Sequence, residues 1–329
     1  MQLLHPKRFG VTELPEAKAF LKREGYVVIG RVYTTEECDR FCEKLKTSVD
    51  AICPAATAVD ALHELTPGHL PPTDSTGLRG ALASSPAMWS IRLHETTQRI
   101  HRFLQGWPED EELVVSLDKA VLQVGRPPSR PRDWLHVDTR EPTCTALQGT
   151  AYLRDAHTAE HASLVVVPGS HRRHAELLAA QTSPPTRDYV VWDDPSSLEA
   201  VQLALRQGDH VAWYSHTTHQ GGAGCRRPAT TRKRKRGGAA DSDPHLLRRV
   251  AAMVSYARKS ARTESVRARK RLVAEKGGCT THWADQCVEQ SLTNRWPRKT
   301  GATQAGGFNH PLHMPLRPVE LTPAMLALL

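Results

Sequence analysis

Between Leu113 and about Trp213 the chain passes through eight short apolar runs, LVVSL, AVLQV, WLHVD, LQGTAYL, SLVVV, YVVW, VQLAL and HVAWY, separated by clusters of Pro, Gly, Asp or Arg. Each run is too short for an ordinary helix, and most are rich in β-branched or aromatic residues. Many short strands at this spacing predict a sandwich or a barrel. RRVAAMVSYA resumes strand character after residue 247 and supplies a last strand to the same assembly.

The flanks read as helices. PEAKAFLKREG, residues 15–25, carries helix formers and ends at Gly25, a C-cap signal, and YVVIGRVY follows as a strand. Thr34 and Glu37 have capping-box spacing before ECDRFCEKLKTSV. From about Pro54 to Ser85 the pattern weakens to loop with room for one helical turn. SPAMWSIRLHETTQRIHRFLQGW returns to helical spacing, with Trp89, Leu93, Ile100 and Leu104 as its buried stripe. ARTESVRARKRLVAEKGG is a basic helix ending at a Gly pair, and the tail from Cys279 onward reads as irregular and wrapped on the surface. A chain of 329 residues with 39% apolar content can fill one core of this kind, so the expectation is a single domain over 1–329. Its core spans about 15–257, with a helix and extended tail over 258–329.

The net charge of +9 suggests nucleic acid until its location is considered. Arg226, Arg227, Arg232, Lys233, Arg234, Lys235 and Arg236 supply most of it with no acid between them, so the remainder is close to neutral. That run lies in an apolar-poor segment, about 226–244, expected to be an inserted loop, mobile and dispensable for chemistry. Arg232 to Arg236 resembles a nuclear signal or a docking patch for nucleic acid or another acidic partner; a solvated loop is the alternative. No run of about 18 apolar residues marks a membrane span, and MQLLHPKRFG has no apolar leader, so an intracellular protein, cytoplasmic or nuclear, is expected. Seven irregularly spaced cysteines argue against a disulfide framework.

The sharpest chemical feature is Trp134-Leu135-His136-Val137-Asp138. Side chains two apart on a strand share a face, so His136 and Asp138 would point together into a barrel while Leu135 and Val137 pack outward. Such a pair can give two ligands to a metal, with a third from His219 in GDHVAWYSHTTHQGG. Two imidazoles and a carboxylate on one face of an octahedron leave three positions open, as in non-haem Fe(II) oxygenases. A buried His-Asp hydrogen-bonded pair is the bland alternative.

FLKREGYVVIGRVYTTEEC, WLHVD, LQGTAYL, LVVVPGSH, GDHVAWYSHTTHQGG and LLRRVAAMVSYA, in that order, resemble the phytanoyl-CoA dioxygenase family of Fe(II)/2-oxoglutarate oxygenases across about residues 15–257. The resemblance implies a double-stranded β-helix, a jelly-roll core, with helices outside it. It implies His136, Asp138 and His219 as iron ligands, with Fe(II), 2-oxoglutarate and O2 as cofactor and co-substrates. It also implies a basic residue on the last core strand for the C5 carboxylate of 2-oxoglutarate, here Arg249 or Arg248. A carboxylate at Asp138, where related halogenases carry a small residue, favours hydroxylation or desaturation. The 23 residues from Cys225 to Leu247 depart from the family's short turn before that Arg.

Strand parity favours Arg249. Its face carries Ala251, Met253 and Ser255, which leave room for a co-substrate, whereas Arg248 shares a face with Val250, Ala252, Val254 and Tyr256. A bulge at the loop exit would reverse that parity. Gln123 and Gln148, on strands flanking the His136 strand in sequence, are further candidates for co-substrate contact, or buried amides bonded to backbone. Trp134, Tyr152 and Trp213 are candidate pocket walls or plain packing. His216 competes with His219 as ligand. The pairs His157 with His161 and His171 with His174 are expected on the surface, and Cys279, His282 and Cys287 suggest zinc only faintly. The expected function is hydroxylation of a small organic substrate with release of succinate and CO2. The alternatives are a hydroxylase of a protein or nucleic acid docked on the basic loop, and a catalytically silent jelly-roll binding protein.

Overall fold

A computed structural model describes residues 2–70, 78–125, 134–141, 143–182, 189–222, 247–290 and 318–329. The basic run, residues 226–236, lies outside these residues, as do most of the segment between His219 and Arg248 and a long part of the tail.

The chain opens with β1 (Gln2–Leu4), β2 (Arg8–Phe9), α1 (Leu14–Glu24), β3 (Tyr26–Ile29) and α2 (Thr35–Ile52). Both helix ends anticipated in the sequence are present. Gly25 closes α1 in the left-handed region at φ 80°, and Thr34 and Glu37 form a reciprocal capping box at the start of α2. Three short 3-10 segments follow, at Pro54–Ala58, Leu62–Glu64 and Pro67–His69, then β4 (Leu78–Arg79). The stretch with helical spacing over residues 85–107 forms two helices, α3 (Pro86–Arg92) and α4 (Glu95–Gln105). His94 interrupts them because its ring accepts the backbone N–H of Thr97, taking the N-cap role that Ser or Asp usually fills.

Then come β5 (Leu113–Val115), β6 (Ala120–Val124), β7 (His136–Val137), β8 (Leu147–Tyr152), β9 (Leu164–Val166), α5 (His174–Ala179), β10 (Val190–Val191), β11 (Val201–Leu203), β12 (His210–Tyr214), β13 (His219–Gly221), β14 (Leu247–Arg258), α6 (Glu264–Glu275) and α7 (Pro323–Ala327). Each of the eight apolar runs contains a strand. They form a jelly roll: a six-stranded sheet ordered β1-β11-β9-β13-β7-β10 faces a larger one ordered β2-β3-β12-β8-β14-β6-β4, with β5 paired to β14.

Period-two alternation decides which face each strand presents. On β14, Val250, Ala252, Val254 and Tyr256 join α1 to α4 in the outer core, while Ala251 and Met253 meet Leu164, Val166 and Trp213 between the sheets. On β7 and β9, Val137 and Val165 pack outward with Trp192, Leu177 and Leu178. Gly149 on β8 allows a buried imidazole pair under the helices. His101 Nε2 lies 3.1 Å from His210 Nε2, and a Cβ at Gly149 would come within 2.8 Å of both.

The tail departs from expectation. Cys279, Thr280, Ala284 and Cys287 are buried, not wrapped on the surface. Residues 279–290 form a small hairpin closed by Gln290 N–H to Cys279 O and by a bridge between Thr280 and Glu289. Thr280 fastens it to the jelly roll, exchanging bonds with Leu117 through its backbone N–H (2.9 Å) and its Oγ1 (3.1 Å). The buried Lys270 Nζ of α6 donates to Val115 O and Ala284 O. The described cysteines Cys38, Cys42, Cys53, Cys144, Cys279 and Cys287 are free thiols. Among the described residues no helix is long and apolar enough to cross a membrane.

Candidate metal and 2-oxoglutarate site

His136 begins β7 and His219 begins β13, and the two residues are direct partners in the ladder of the smaller sheet. Their side chains therefore leave the same face toward the larger sheet, with ring centroids 4.4 Å apart. Asp138 leaves the strand just after Val137 and is anchored by its N–H to Ser215 O. The ligand atoms offered by His136, Asp138 and His219 all lie within 4.8 Å of one another. His136 Nε2 is 3.5 Å from Asp138 Oδ1, and His219 Nε2 is 3.2 Å from Asp138 Oδ2.

The outward nitrogens explain the orientation. His136 Nδ1 lies 3.0 Å from Trp134 O, and His219 Nδ1 lies 2.9 Å from Thr217 O. A carbonyl can only accept, so each Nδ1 carries a proton and each Nε2 is the nitrogen that faces Asp138, the one a metal would take once the ring is neutral. Trp134 stacks on His136 at 4.2 Å and 12°, and Trp213 lies 5.3 Å from His219, so both aromatics wall the site. Burial holds His136 down to about pKa 4, the neutral form being the one a ligand needs. For Asp138, burial favours the neutral acid, but the surrounding imidazoles of His282, His136 and His219 outweigh it and keep the carboxyl below its usual range.

The remaining candidates separate. Gln148 is buried, and its amide donates to Asp138 Oδ2 at 2.6 Å, so it holds the carboxylate. Gln123 is the ladder partner of Arg249 on β14. A bulge does interrupt the register between Leu247 and Arg249, yet it precedes Arg249 and leaves the parity of the following residues intact. Arg249 therefore enters the space between the sheets, its guanidinium 5.3 Å from the centre of the Tyr152 ring. Arg249 is 4% exposed, its Nε has no hydrogen-bond partner among the described residues, and no carboxylate there pairs with it. Arg248 is directed elsewhere, its Nε bonded to Glu160 O at 2.9 Å. A buried cation without an acid is costly, and a carboxylate ligand is the natural complement. Two imidazoles, one carboxylate and a buried guanidinium thus fit Fe(II) and 2-oxoglutarate.

His216 is set apart from this cluster, in contact with His171 and His174 at ring separations of 5.7 Å. His174 is buried at 2% exposure, contrary to the surface position expected for its pair, because α5 packs it against the turn after β12. His157 is exposed, as expected, and half-buried His161 lies beside it. Cys279, His282 and Cys287 do not assemble as ligands: among the described residues the cluster His136, Asp138 and His219 alone brings three such groups together, Cys279 Sγ bonds to Gln290 O, and His282 interacts electrostatically with Asp138, Asp118 and His219. The sequence offered His282 only as part of a faint zinc set, because its proximity to Asp138 and His219 depends on a fold-back that no local pattern announces.

The family model for phytanoyl-CoA dioxygenase (PhyH) matches residues 21–229. The chain belongs to that family. PhyH membership makes it an Fe(II)- and 2-oxoglutarate-dependent oxygenase, with O2 as co-substrate. Among solved structures, the chain is similar to the epimerase SnoN in complex with Fe3+, alpha ketoglutarate and nogalamycin RO, at 18% identity and TM-score 0.48, over 74% of this chain and 83% of that one. It is also similar to HygX from Streptomyces hygroscopicus with nickel and 2-oxoglutarate, at 14% and 0.44, over 74% and 87%. EctD from S. alaskensis with bound Fe aligns at 18% and 0.44, over 76% and 78%. No curated protein sequence matches the chain. Arg249 and the hairpin 279–290 both lie beyond the PhyH match.

Proposed function

We propose that this PhyH protein hydroxylates a small organic substrate, with His136, Asp138 and His219 holding the iron and Arg249 holding the C5 carboxylate of 2-oxoglutarate. The observation that carries this reading is the His136-Asp138-His219 cluster set in the interior between the sheets, with side chains 7%, 17% and 6% exposed. So enclosed a centre favours a small molecule over a folded macromolecule.

When bound, Fe(II) with 2-oxoglutarate and O2 supplies oxidative decarboxylation to succinate and CO2 and places one oxygen atom on the substrate. The chain's own residues prepare the site for it. Trp134 O and Thr217 O fix the imidazole tautomers. Gln148 and the Ser215 carbonyl hold Asp138 in place. Arg249 offers a charge-assisted fork between the sheets, with Gln123 beside it as its ladder partner. Asp138 fills the position that a halide would need, which supports hydroxylation or desaturation.

The test is an incubation of the protein with Fe(II), 2-oxoglutarate, O2 and a metabolite pool. Mass spectrometry should find a product heavier by one oxygen atom together with matched succinate. Succinate that never rises above the level without the pool would overturn the small-substrate reading.

A further inference from the structure

The hairpin 279–290 brings an imidazole to the Ser255 end of β14, the end away from Arg249. β14 supplies the ruler. Its residue Ser255 accepts from Ser116 N–H, and Met253 donates its N–H to Lys119 O. Leu117, between those two contacts, is the residue to which Thr280 is fastened. Gln148, which holds Asp138, is the ladder partner of the same Ser255. Asp138 and the hairpin thus gather near Ser255, whereas Arg249 stands six residues away on β14, about 20 Å along an extended strand.

His282, two residues beyond Thr280, lies close enough to Asp138 and His219 to interact with both electrostatically. Its Nε2 is shut off from solvent and has no hydrogen-bond partner among the described residues. Its ring rests on Trp283 with centroids 4.4 Å apart. The hairpin under it is pinned from both sides, by Leu117 and by Lys270. A buried imidazole nitrogen held rigidly near a reaction centre and left unpaired is a site for a ligand's hydrogen bond.

We propose that His282 binds the primary substrate, its Nε2 hydrogen-bonding a hydroxyl, carbonyl or amide group and so setting which carbon faces the metal. This rests on the small-substrate reading above. It places the specificity determinant beyond the PhyH-matched residues 21–229, in a segment that follows α6 and is held against the jelly roll by Thr280 and Lys270.

The test uses the full chain and the small-molecule filtrate of a deproteinised cell extract. In the wild type, the filtrate stimulates succinate formation with a measurable half-saturating dilution. His282→Leu should need at least tenfold more filtrate, the loss expected for one neutral hydrogen bond and its burial. His282→Gln, which returns an amide near the Nε2 position, should recover most of that loss. In calorimetry on Mn(II)-loaded protein, the Kd for 2-oxoglutarate should stay within twofold in both variants.

An unchanged half-saturating dilution in His282→Leu overturns the proposal. So does an equal loss in the Leu and Gln variants, which marks packing, and so does a parallel loss of 2-oxoglutarate affinity, which places His282 with the co-substrate. A filtrate that fails to stimulate the wild type overturns the small-substrate reading first, and this assignment falls with it.

Discussion

At the scale of single residues, the site separates groups that bind from groups that hold. His136→Ala or Asp138→Ala should abolish 2-oxoglutarate turnover and Mn(II) binding while the melting temperature stays near that of the metal-free wild type. Distal identity is decided by comparison: His219→Ala should be inactive and His216→Ala active, since His216 contacts His171 and His174 and stands apart from the cluster. The reverse result would move the third ligand. Arg249→Ala should raise the 2-oxoglutarate KM by two orders of magnitude, because removing a buried charge-assisted pair costs about 3 kcal/mol or more. Arg248→Ala should leave that KM nearly normal, its Nε being bonded to Glu160 O. Steady-state succinate assays across 2-oxoglutarate concentration distinguish the two. A bulge after Arg249 would have undone this parity, and the one on β14 falls before it, between Leu247 and Arg249.

At the scale of elements, two close approaches support the site from outside. Gly149 lies where both His101 and His210 cross β8, and a Cβ there would also come within 2.8 Å of Val254 O. Gly149→Ala should therefore destabilise the protein by about 1–3 kcal/mol through overpacking, read as a lower urea midpoint. An unchanged midpoint would mean that the imidazole pair can move aside. Lys270 is the second support. Its Nζ ties α6 to β5 and to the hairpin at Ala284, and burial pushes its pKa down to about 7. Lys270→Met leaves two buried carbonyls without their donor, at about 1–3 kcal/mol each. Hydrogen exchange should then accelerate across residues 279–290 while β8 and β12 remain protected. Uniform acceleration over the whole chain would instead make Lys270 a global determinant of stability.

At the scale of the whole molecule, the buried imidazoles set the acid limit. Burial lowers His101 to about 3 and His216 to about 4, and holds His210 well below its ordinary value, with His101 adding to the effect. Each is neutral when folded and takes up a proton near pH 6.5 when unfolded, so the unfolded chain binds more protons below that pH. Stability is then complete above about pH 6.5 and falls as pH drops toward 4, by about 1 kcal/mol per pH unit for each such group. Urea midpoints of the metal-free protein from pH 7.5 to 5 should show that slope, and a flat profile would sink it. Much of this fold is legible in the sequence, because strand alternation, Gly25 as a cap and the Thr34 capping box are local properties that survive into the folded state. The His136 and Asp138 pair is legible for the same reason, being set by period two on a single strand. His219 joined them through a recognisable order of motifs, although its register opposite His136 is a property of the sheet. What tertiary structure alone decided is whatever depends on chain segments distant in sequence meeting in space. The break at His94, the burial of His174, the bond from Gln148 to Asp138 and the docking of residues 279–290 on Leu117 and Lys270 belong there. A single residue type at a given spacing has many packing partners open to it, and only the closed core selects among them.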